Sequence, residues 1–535
     1  MQSNVTREGA LADLWGGKFL LRLVSPFSLK RLFLVYSLPL LLCISLLSVF
    51  NVFQRPDLFL LDRAFQWRGA QEAGDEVAIV AITQEDFERG APRWPWPRSL
   101  VARLIDQVSE QRPAVIAVDI LYTEKTNSET VITQEQFGDI QPFLYQVLSG
   151  ATLQIQTAQG TRVVGPGAPG FDQIAAGANA ARAQDLELAN AVQRAVDNGV
   201  RVVLAANTIS NGGQAGLAEP YPLLASAAGD SLGLVGIRVD GDGVLRRYLP
   251  YGRDQNGEFV YGLSLAAVAE FRGVDLPERP LPNGHVPLGQ DLLVKVTDGQ
   301  FLVNFRGPSG TYPTYVARDV LKDEAGLSGK LTGKIVFIGV TDPSVEDLYP
   351  TPFSGSNRMP GVEFHAVAAD TLLNGAFIKE APRYQQILAL MFLGLAAITL
   401  GRFLRPLFGV AGVLATVGAL FGLWIGLFAG ANYFLPLAAP LAGVLAGYGF
   451  AIADRVGVEQ LEKQQARSML SRYLHPGIVK DMLKSPIAAQ LGGARAELTV
   501  LFSDIRGFTS ISERLSPEEV VSLLNEYLSV MTEVI

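Results

Sequence analysis

Two kinds of apolar pattern alternate along this chain, and they predict different things. Leu32 to Phe53 holds no charged residue, and at about 1.5 Å per helical residue some 20 such residues cross a hydrocarbon core. A cleaved leader would carry an apolar stretch of roughly 7–15 residues ahead of small residues. The run here is longer and ends in Asn51-Val52-Phe53-Gln54-Arg55, so it predicts an uncleaved span. Pro39 is tolerable within it as a kink. Similar material returns at Tyr384–Leu400, is broken by Gly401-Arg402-Phe403-Leu404-Arg405, and then runs uncharged from Pro406 to Ala453. That last stretch is too long for one span and suits two, with a tight turn near Gly430-Ala431-Asn432-Tyr433. Spans are expected at 32–53, 384–400, 406–429 and 434–453.

Between the first two spans the pattern changes to short bursts. Val77–Ile82, Ala114–Val118, Val200–Ala206 and Lys334–Gly339 are apolar runs too short for ordinary helices. Ser99–Glu110, Leu186–Val196 and Gly361–Leu373 have helical spacing. Strand and helix in alternation predict an α/β layer with a mostly parallel sheet. Residues 149–183, rich in Gly and Ala without a clear period, read as a long loop or insertion. No internal repeat is visible.

Charge adds orientation. Arg22, Lys30 and Arg31 precede the first span, Arg402 and Arg405 fill the loop after the second, and Arg455 follows the fourth. The turn at 430–433 has no positive charge. Basic residues collect on the cytoplasmic side. The amino terminus (1–31), the Arg402 loop and the carboxyl end are therefore expected inside, with 54–383 outside. Arg55, Arg63 and Arg383 lie on the outer side, where long exported domains tolerate them. Hydrophobic residues make up 49% of 535 and charged residues 18%, which fits a membrane protein with soluble parts. A net charge of −8 without a long basic run argues against nucleic acid as a partner. The single cysteine, Cys43, permits no intramolecular disulfide and no cysteine zinc site.

The outer segment resembles the CHASE2 family of extracytoplasmic sensor domains. The residues carrying the resemblance are Leu61-Asp62-Arg63-Ala64-Phe65, Trp94-Pro95-Trp96-Pro97-Arg98, Ala117-Val118-Asp119-Ile120, Val239 to Arg247, Ile338-Gly339 and Pro360 to Ala366. The stretch from Tyr122 to about Gln184 departs from the family pattern. An unknown extracytoplasmic ligand is implied. Ligands of open α/β sheets sit beyond the carboxyl ends of strands, and Asp119 and Asp342 stand at such positions. They are read either as ligand contacts or, the preferred reading, as caps of neighbouring helices or partners of Arg98 or Arg246. Asp240 and Asp242, in Asp-Gly-Asp-Gly, read as a hairpin turn in preference to a calcium site. His365 falls on the apolar face of its helix and reads as a packed histidine.

After Ala453 the chain turns polar. Residues 454–490 read as a cytoplasmic transducing segment, with Val458, Leu461, Met469, Leu470 and Tyr473 forming a short stripe that could pair with its copy in a homodimer. Pro476 makes His475 a helix boundary, not a phosphorylated histidine. Leu498–Ser503 reads as a strand ending at Asp504, followed by the turn Ile505–Ser510. Ser516-Pro517-Glu518-Glu519 carries a helix-start signature, and Val520, Leu524, Tyr527 and Met531 share a face. A carboxylate at a strand end can hold a divalent metal, and backbone N–H groups at the next helix start suit phosphate.

Leu501 to Ser510 resembles the first-strand motif of class III nucleotide cyclases, and Leu491-Gly492-Gly493 and Ser516–Asn525 match the same family. The resemblance covers about 485–535, with the domain taken as 491–535, and implies the start of a ferredoxin-like α/β catalytic domain acting as a homodimer. It implies Asp504 and the Ile505 carbonyl as ligands of two Mg2+ or Mn2+ ions, and Gly507, Phe508 and Thr509 at the triphosphate of ATP or GTP. The family's second metal-binding Asp does not occur before Ile535, so this polypeptide is expected to be inactive by itself and to be a piece of a longer enzyme. The full expectation is a multi-domain protein of the bacterial inner membrane, in contact with lipid, in which an outer sensor gates an adenylate cyclase. A non-catalytic adaptor whose cyclase-like tail makes dimer contacts is the alternative.

Overall fold

The computed structural model describes residues 26–88, 94–123, 153–157, 160–164, 171–211, 214–254, 256–323, 325–355, 357–470 and 499–534. The chain divides into two units at Arg455/Val456. Leu491–Leu498, Tyr473, His475 and most of 124–170 lie outside the described residues.

The first unit is built on a seven-stranded sheet. Its strands are β1 (Val77–Ile82), β2 (Val115–Asp119), β5 (Arg201–Asn211), β6 (Gln214–Ala218), β7 (Leu232–Leu234), β8 (Thr314–Val316) and β9 (Ile335–Val340). A separate antiparallel hairpin, β3 (Leu153–Thr157) with β4 (Gly160–Val164), falls between β2 and β5 in the chain. The sheet order is β8-β1-β9-β2-β5-β6, with β7 also on β5. All pairs are parallel except β5–β6. This is the α/β layer that the alternating pattern predicts.

The central strands β1 and β9 are apolar and buried at every position because both faces of the sheet are covered. Val77, Ile79, Ala117 and Phe337 point to one side, where α2 (Gln54–Arg68), α5 (Leu263–Arg272) and α7 (Gly361–Leu373) pack. Ala78, Val80, Val118 and Ile338 point to the other, against α3 (Arg98–Glu110), α4 (Phe171–Asp197) and α6 (Ala317–Leu321). Each such Val, Ile or Phe contributes about 1.5–3 kcal/mol on burial, and with Cys43 the only cysteine this packing holds the α/β domain without a disulfide.

Two expectations need correction. The stretch read as a loop contains the β3–β4 hairpin, and α4 begins at Phe171, not near Leu186. The Ala-rich run 175–183 has no apolar period, yet alanine is the strongest helix former, so propensity acts where periodicity is silent. The first expected span, 32–53, is helical only as far as Val49. α1 (Pro26–Val49) ends before Asn51, whose φ is 58°, and the chain bends by 77° into α2. Asparagine accepts this left-handed geometry more readily than most residues.

Among the described residues three helices are long and apolar enough to cross a membrane, or four if the bent α1–α2 pair counts as one span. They are α8 (Arg383–Phe403), α9 (Pro406–Ala431) and α10 (Ala438–Leu470). Leu407, Leu414 and Leu423 of α9 are each more than 60% exposed, a surface that suits lipid and not water. α8 and α10 approach closely at Gly443 and Gly447, where a Cβ would meet Leu390 and the Gly394 carbonyl. At one end Arg402 pairs with Asp454 at 3.4 Å. At the other, Asn432 caps α9 in the left-handed conformation at the expected turn.

In the second unit α11 (Phe508–Ser512) and α12 (Pro517–Val534) are helical. Residues 499–505 form no strand, against expectation. A strand needs a neighbour to take its N–H and C=O groups, and none of the described residues pairs with this segment.

Candidate functional site

The carboxyl-terminal strip places the expected metal and phosphate residues in one tight turn. Asp504 is exposed and its Oδ1 accepts the Ile505 N–H at 2.9 Å. The Ile505 carbonyl accepts the Phe508 N–H at 3.1 Å, which closes the turn. Gly507 has φ 76° and caps α11, a geometry that favours glycine. Thr509 lies in the first turn of α11, and its carbonyl accepts from Ser512 Oγ and the Glu513 N–H. Downstream, the Ser516 N–H donates to Glu519 Oε2 at 2.9 Å and the Glu519 N–H donates to Ser516 Oγ at 3.4 Å, the reciprocal cap that starts α12. Val520, Leu524, Tyr527 and Met531 form its half-buried face.

Asp504 and the Ile505 carbonyl are oxygen donors, the chemistry a hard divalent cation takes. Among the described residues no group of three or more His, Cys, Asp or Glu side chains is arranged around a metal. The strip therefore fits part of a Mg2+ or Mn2+ donor set, one carboxylate and one carbonyl.

The α/β domain's motif residues come together differently. Arg246 is 1% exposed on its side chain and holds three carboxylates: Asp62 through Nε and Nη2 at 2.6 and 2.7 Å, Asp242 at 2.7 Å and Asp240 at 3.1 Å. Burial alone would lower its pKa, but the hydrogen bonds to Asp62 and Asp242 carry it upward. The same bonds hold Asp242 below the usual carboxylate range. The Asp-Gly-Asp-Gly stretch is a turn, as expected, closed by Asp240 N–H to Val244 O at 2.9 Å. Its carboxylates grip an arginine. Neighbouring Arg247 pairs with Glu380 at 2.7 Å. Sequence reasoning missed Asp62 as the partner of Arg246, since they lie 184 residues apart.

Asp342 caps the short 3-10 turn Pro343–Val345 by accepting the Ser344 N–H at 2.7 Å, as the structural reading expects. Among the described residues Asp119 neither caps a helix nor pairs with Arg98 or Arg246. Arg98 pairs with Asp185 at 2.5 Å instead and stacks between Tyr122 and Tyr221. Asp119 faces Asp347 at the carboxyl edge of β2, and burial, then the neighbouring charge, push its pKa up to about 8. Asp347 is pushed up by burial as well. His365 is 1% exposed, as expected of a packed histidine; burial lowers its pKa to about 4, and Nδ1 lies 3.1 Å from Ser264 Oγ. Glu363 accepts from Ser309 Oγ and the Gly310 N–H. An open cleft of about 1610 Å³ lies between the hairpin Tyr251–Tyr261 and the loop 278–284.

Comparison with known proteins matches the CHASE2 domain model to residues 38–400 and the adenylate and guanylate cyclase catalytic domain model to residues 493–535. Adenylate cyclase 1 of Rhizobium meliloti is 42% identical over 62 residues, 11% of this chain and 9% of that protein. Retinal guanylyl cyclase 1 of Bos taurus is 34% identical over 85 residues, 16% of this chain and 7% of that protein. The matches thus span under a tenth of each relative's length. No solved structure matches.

Proposed function

Because this chain belongs to the CHASE2 domain family and carries cyclase catalytic-domain sequence at its carboxyl end, we propose that it is the sensing and membrane part of a nucleotide cyclase that makes cyclic AMP from ATP. The observation that carries the reading is the order of parts: an outer-type α/β domain, then apolar helices, then the contiguous run Leu501–Ser510. The distribution of Lys and Arg supports an outer position for 54–383 and an inner position for the Arg402 loop and the carboxyl end, in a bacterial plasma membrane. Reporter fusions at Gly299 and Tyr433 are expected to read outside, and one at Arg405 inside.

In this reading Asp504 and the Ile505 carbonyl hold part of a two-metal centre, and a homodimer completes the site. A bound divalent ion supplies Lewis-acid stabilisation as the ribose 3′-oxygen displaces pyrophosphate at the α-phosphorus. The turn's own contribution is positional. Gly507 brings the backbone round in the left-handed region, so that Phe508 and Thr509 start a helix against the triphosphate.

The test is product analysis by mass spectrometry, in membranes carrying the protein with a whole cyclase domain. Cyclic AMP is expected from ATP, and cyclic GMP as the main product would reassign the substrate. Asp504→Ala is expected to lower the rate at least about 100-fold, since even outer-sphere partners of a metal ligand are worth 10–100-fold. Undiminished activity would remove Asp504 from the mechanism.

A further inference from the structure

The connection between α9 and α10, Asn432 to Leu437, is held from several directions by the α/β domain and its membrane-proximal helix. The backbone of β10 (Lys379–Glu380) pairs in parallel with β11 (Tyr433–Phe434). The Lys379 N–H donates to the Asn432 carbonyl and the Ala381 N–H to the Phe434 carbonyl, each at 2.8 Å. Asn304, fully buried, donates through Nδ2 to Asn432 Oδ1 at 3.3 Å and to the Ala376 carbonyl at 2.9 Å, while its Oδ1 accepts from Arg68 at 2.7 Å. Asp57 of α2 accepts the N–H of Ala438, the first residue of α10, at 2.9 Å. Trp424 donates to the Leu435 carbonyl at 2.9 Å, and the Tyr433 hydroxyl donates to Gln385.

These contacts belong to the sensor's own core. Phe428, Phe434 and Leu437 lie in the same buried cluster as Ile79 and Phe337 of the sheet. Phe65 of α2 meets both Phe305 and Phe428 edge-on, with ring centroids 5.8 and 5.0 Å apart. Glu380, which carries the β10 bridge, is held by Arg247, next to the Arg246 network. Interiors packed this way transmit displacement and do not absorb it. At the other end of the helices the hold is lighter. The Leu404 carbonyl accepts from Arg455 at 2.7 Å, and Arg402 meets Asp454 at 3.4 Å.

We propose that the Asn432–Leu437 connection is the coupling element through which the sensor domain sets the position of α10, with Asp57 and Asn304 as its positioning residues. α10 runs without a break from Ala438 to Leu470. Asp454, 16 residues on, lies about 24 Å along the helix axis. A shift of the gripped first turn therefore reaches the Arg402–Asp454 contact as a rigid displacement. The proposal uses the outer placement of this connection from the reading above, but not the cyclase chemistry.

Cross-linking of the far ends tests it without any nucleotide. In the full chain carrying Cys43→Ser, Arg402→Cys and Asp454→Cys, the rate of bridging by a short bis-maleimide is measured in membranes. Asp57→Ala and Asn304→Ala are each expected to change that rate at least 3-fold, and Asp57→Asn, which keeps an accepting oxygen, to restore it. Arg194→Ala, which removes an exposed ion pair with Asp106 elsewhere on the domain, is expected to leave it unchanged. The unfolding midpoint is read on the same samples, with Tyr433→Val used where either alanine variant fails to fold. An unchanged rate in the folded variants overturns the proposal, and so does an equal change in Arg194→Ala. Absence of any cyclic nucleotide from membranes carrying the protein with a whole cyclase domain, beside an intact cross-linking response, would count against the proposed function alone.

Discussion

The α/β domain and the carboxyl-terminal strip each contain an acidic turn with glycine: Asp240–Arg247 in one, Asp504–Thr509 in the other. Around the first, three carboxylates close on Arg246 and the backbone sits on a packed sheet. Around the second, Asp504 bonds to the next backbone N–H, and Phe502 just before it is 92% exposed. Both turns were singled out from sequence, yet among the described residues only the first is fixed by contacts distant in the chain. A turn takes its local shape from its own residues; whether it is rigid depends on what packs against it.

The largest expected effect lies in the first region. Arg246→Ala leaves three partly buried carboxylates without a cation and is expected to cost about 3–5 kcal/mol, read as a fall in the chemical or thermal unfolding midpoint of the solubilised protein. A cost under about 1 kcal/mol would show that the network is solvated and not structural.

The second prediction concerns pH. Asp119 keeps its proton in the folded protein up to about pH 8, against an ordinary value of 3.8. The folded state then binds more protons than the unfolded one between those values. Its stabilising contribution is full below about pH 4 and is lost as pH rises toward 8. Asp119→Asn is expected to flatten that part of the stability–pH curve. An unchanged slope would mean that Asp119 ionises freely.

Smaller effects are expected in the strip. Ser516→Ala removes one arm of the reciprocal cap and is expected to weaken α12 locally by about 1 kcal/mol, seen as faster amide exchange at Glu519 and Val520. Phe502→Ser is expected to shift stability by no more than about 0.5 kcal/mol, because the side chain makes no core. A larger loss would show that the strip has a partner surface and would break the contrast.

Much of the architecture was legible in the residues. β1, β2 and β9 fall where short apolar runs predict them, α7 spans Gly361–Leu373 as its spacing predicts, and α8 and α9 cover the expected apolar stretches. The misreadings have physical causes. The Ala-rich start of α4 carries propensity without period, and the bend at Asn51 depends on a single residue's backbone. The strand expected before Asp504 has the right composition, but none of the described residues pairs with it and it does not form. For the candidate site, residue types and spacing put Asp504 at a strand end and Gly507 in the turn after it; the turn is present, with Gly507 capping α11, and the strand is not.

Local order along the chain therefore determined which segments are apolar enough for a membrane, which alternate as strand and helix, and which carry the cyclase-like turn. Those properties depend on neighbours within a few residues, and the sequence holds them directly. Only the tertiary structure decided that Asp62 belongs to Arg246, that Asp185 and not Asp119 takes Arg98, and that Asn304 and Asp57 hold the α9–α10 connection. A charged group's partner depends on which distant segments the sheet order brings together, and one chain read alone does not encode that order in any local pattern.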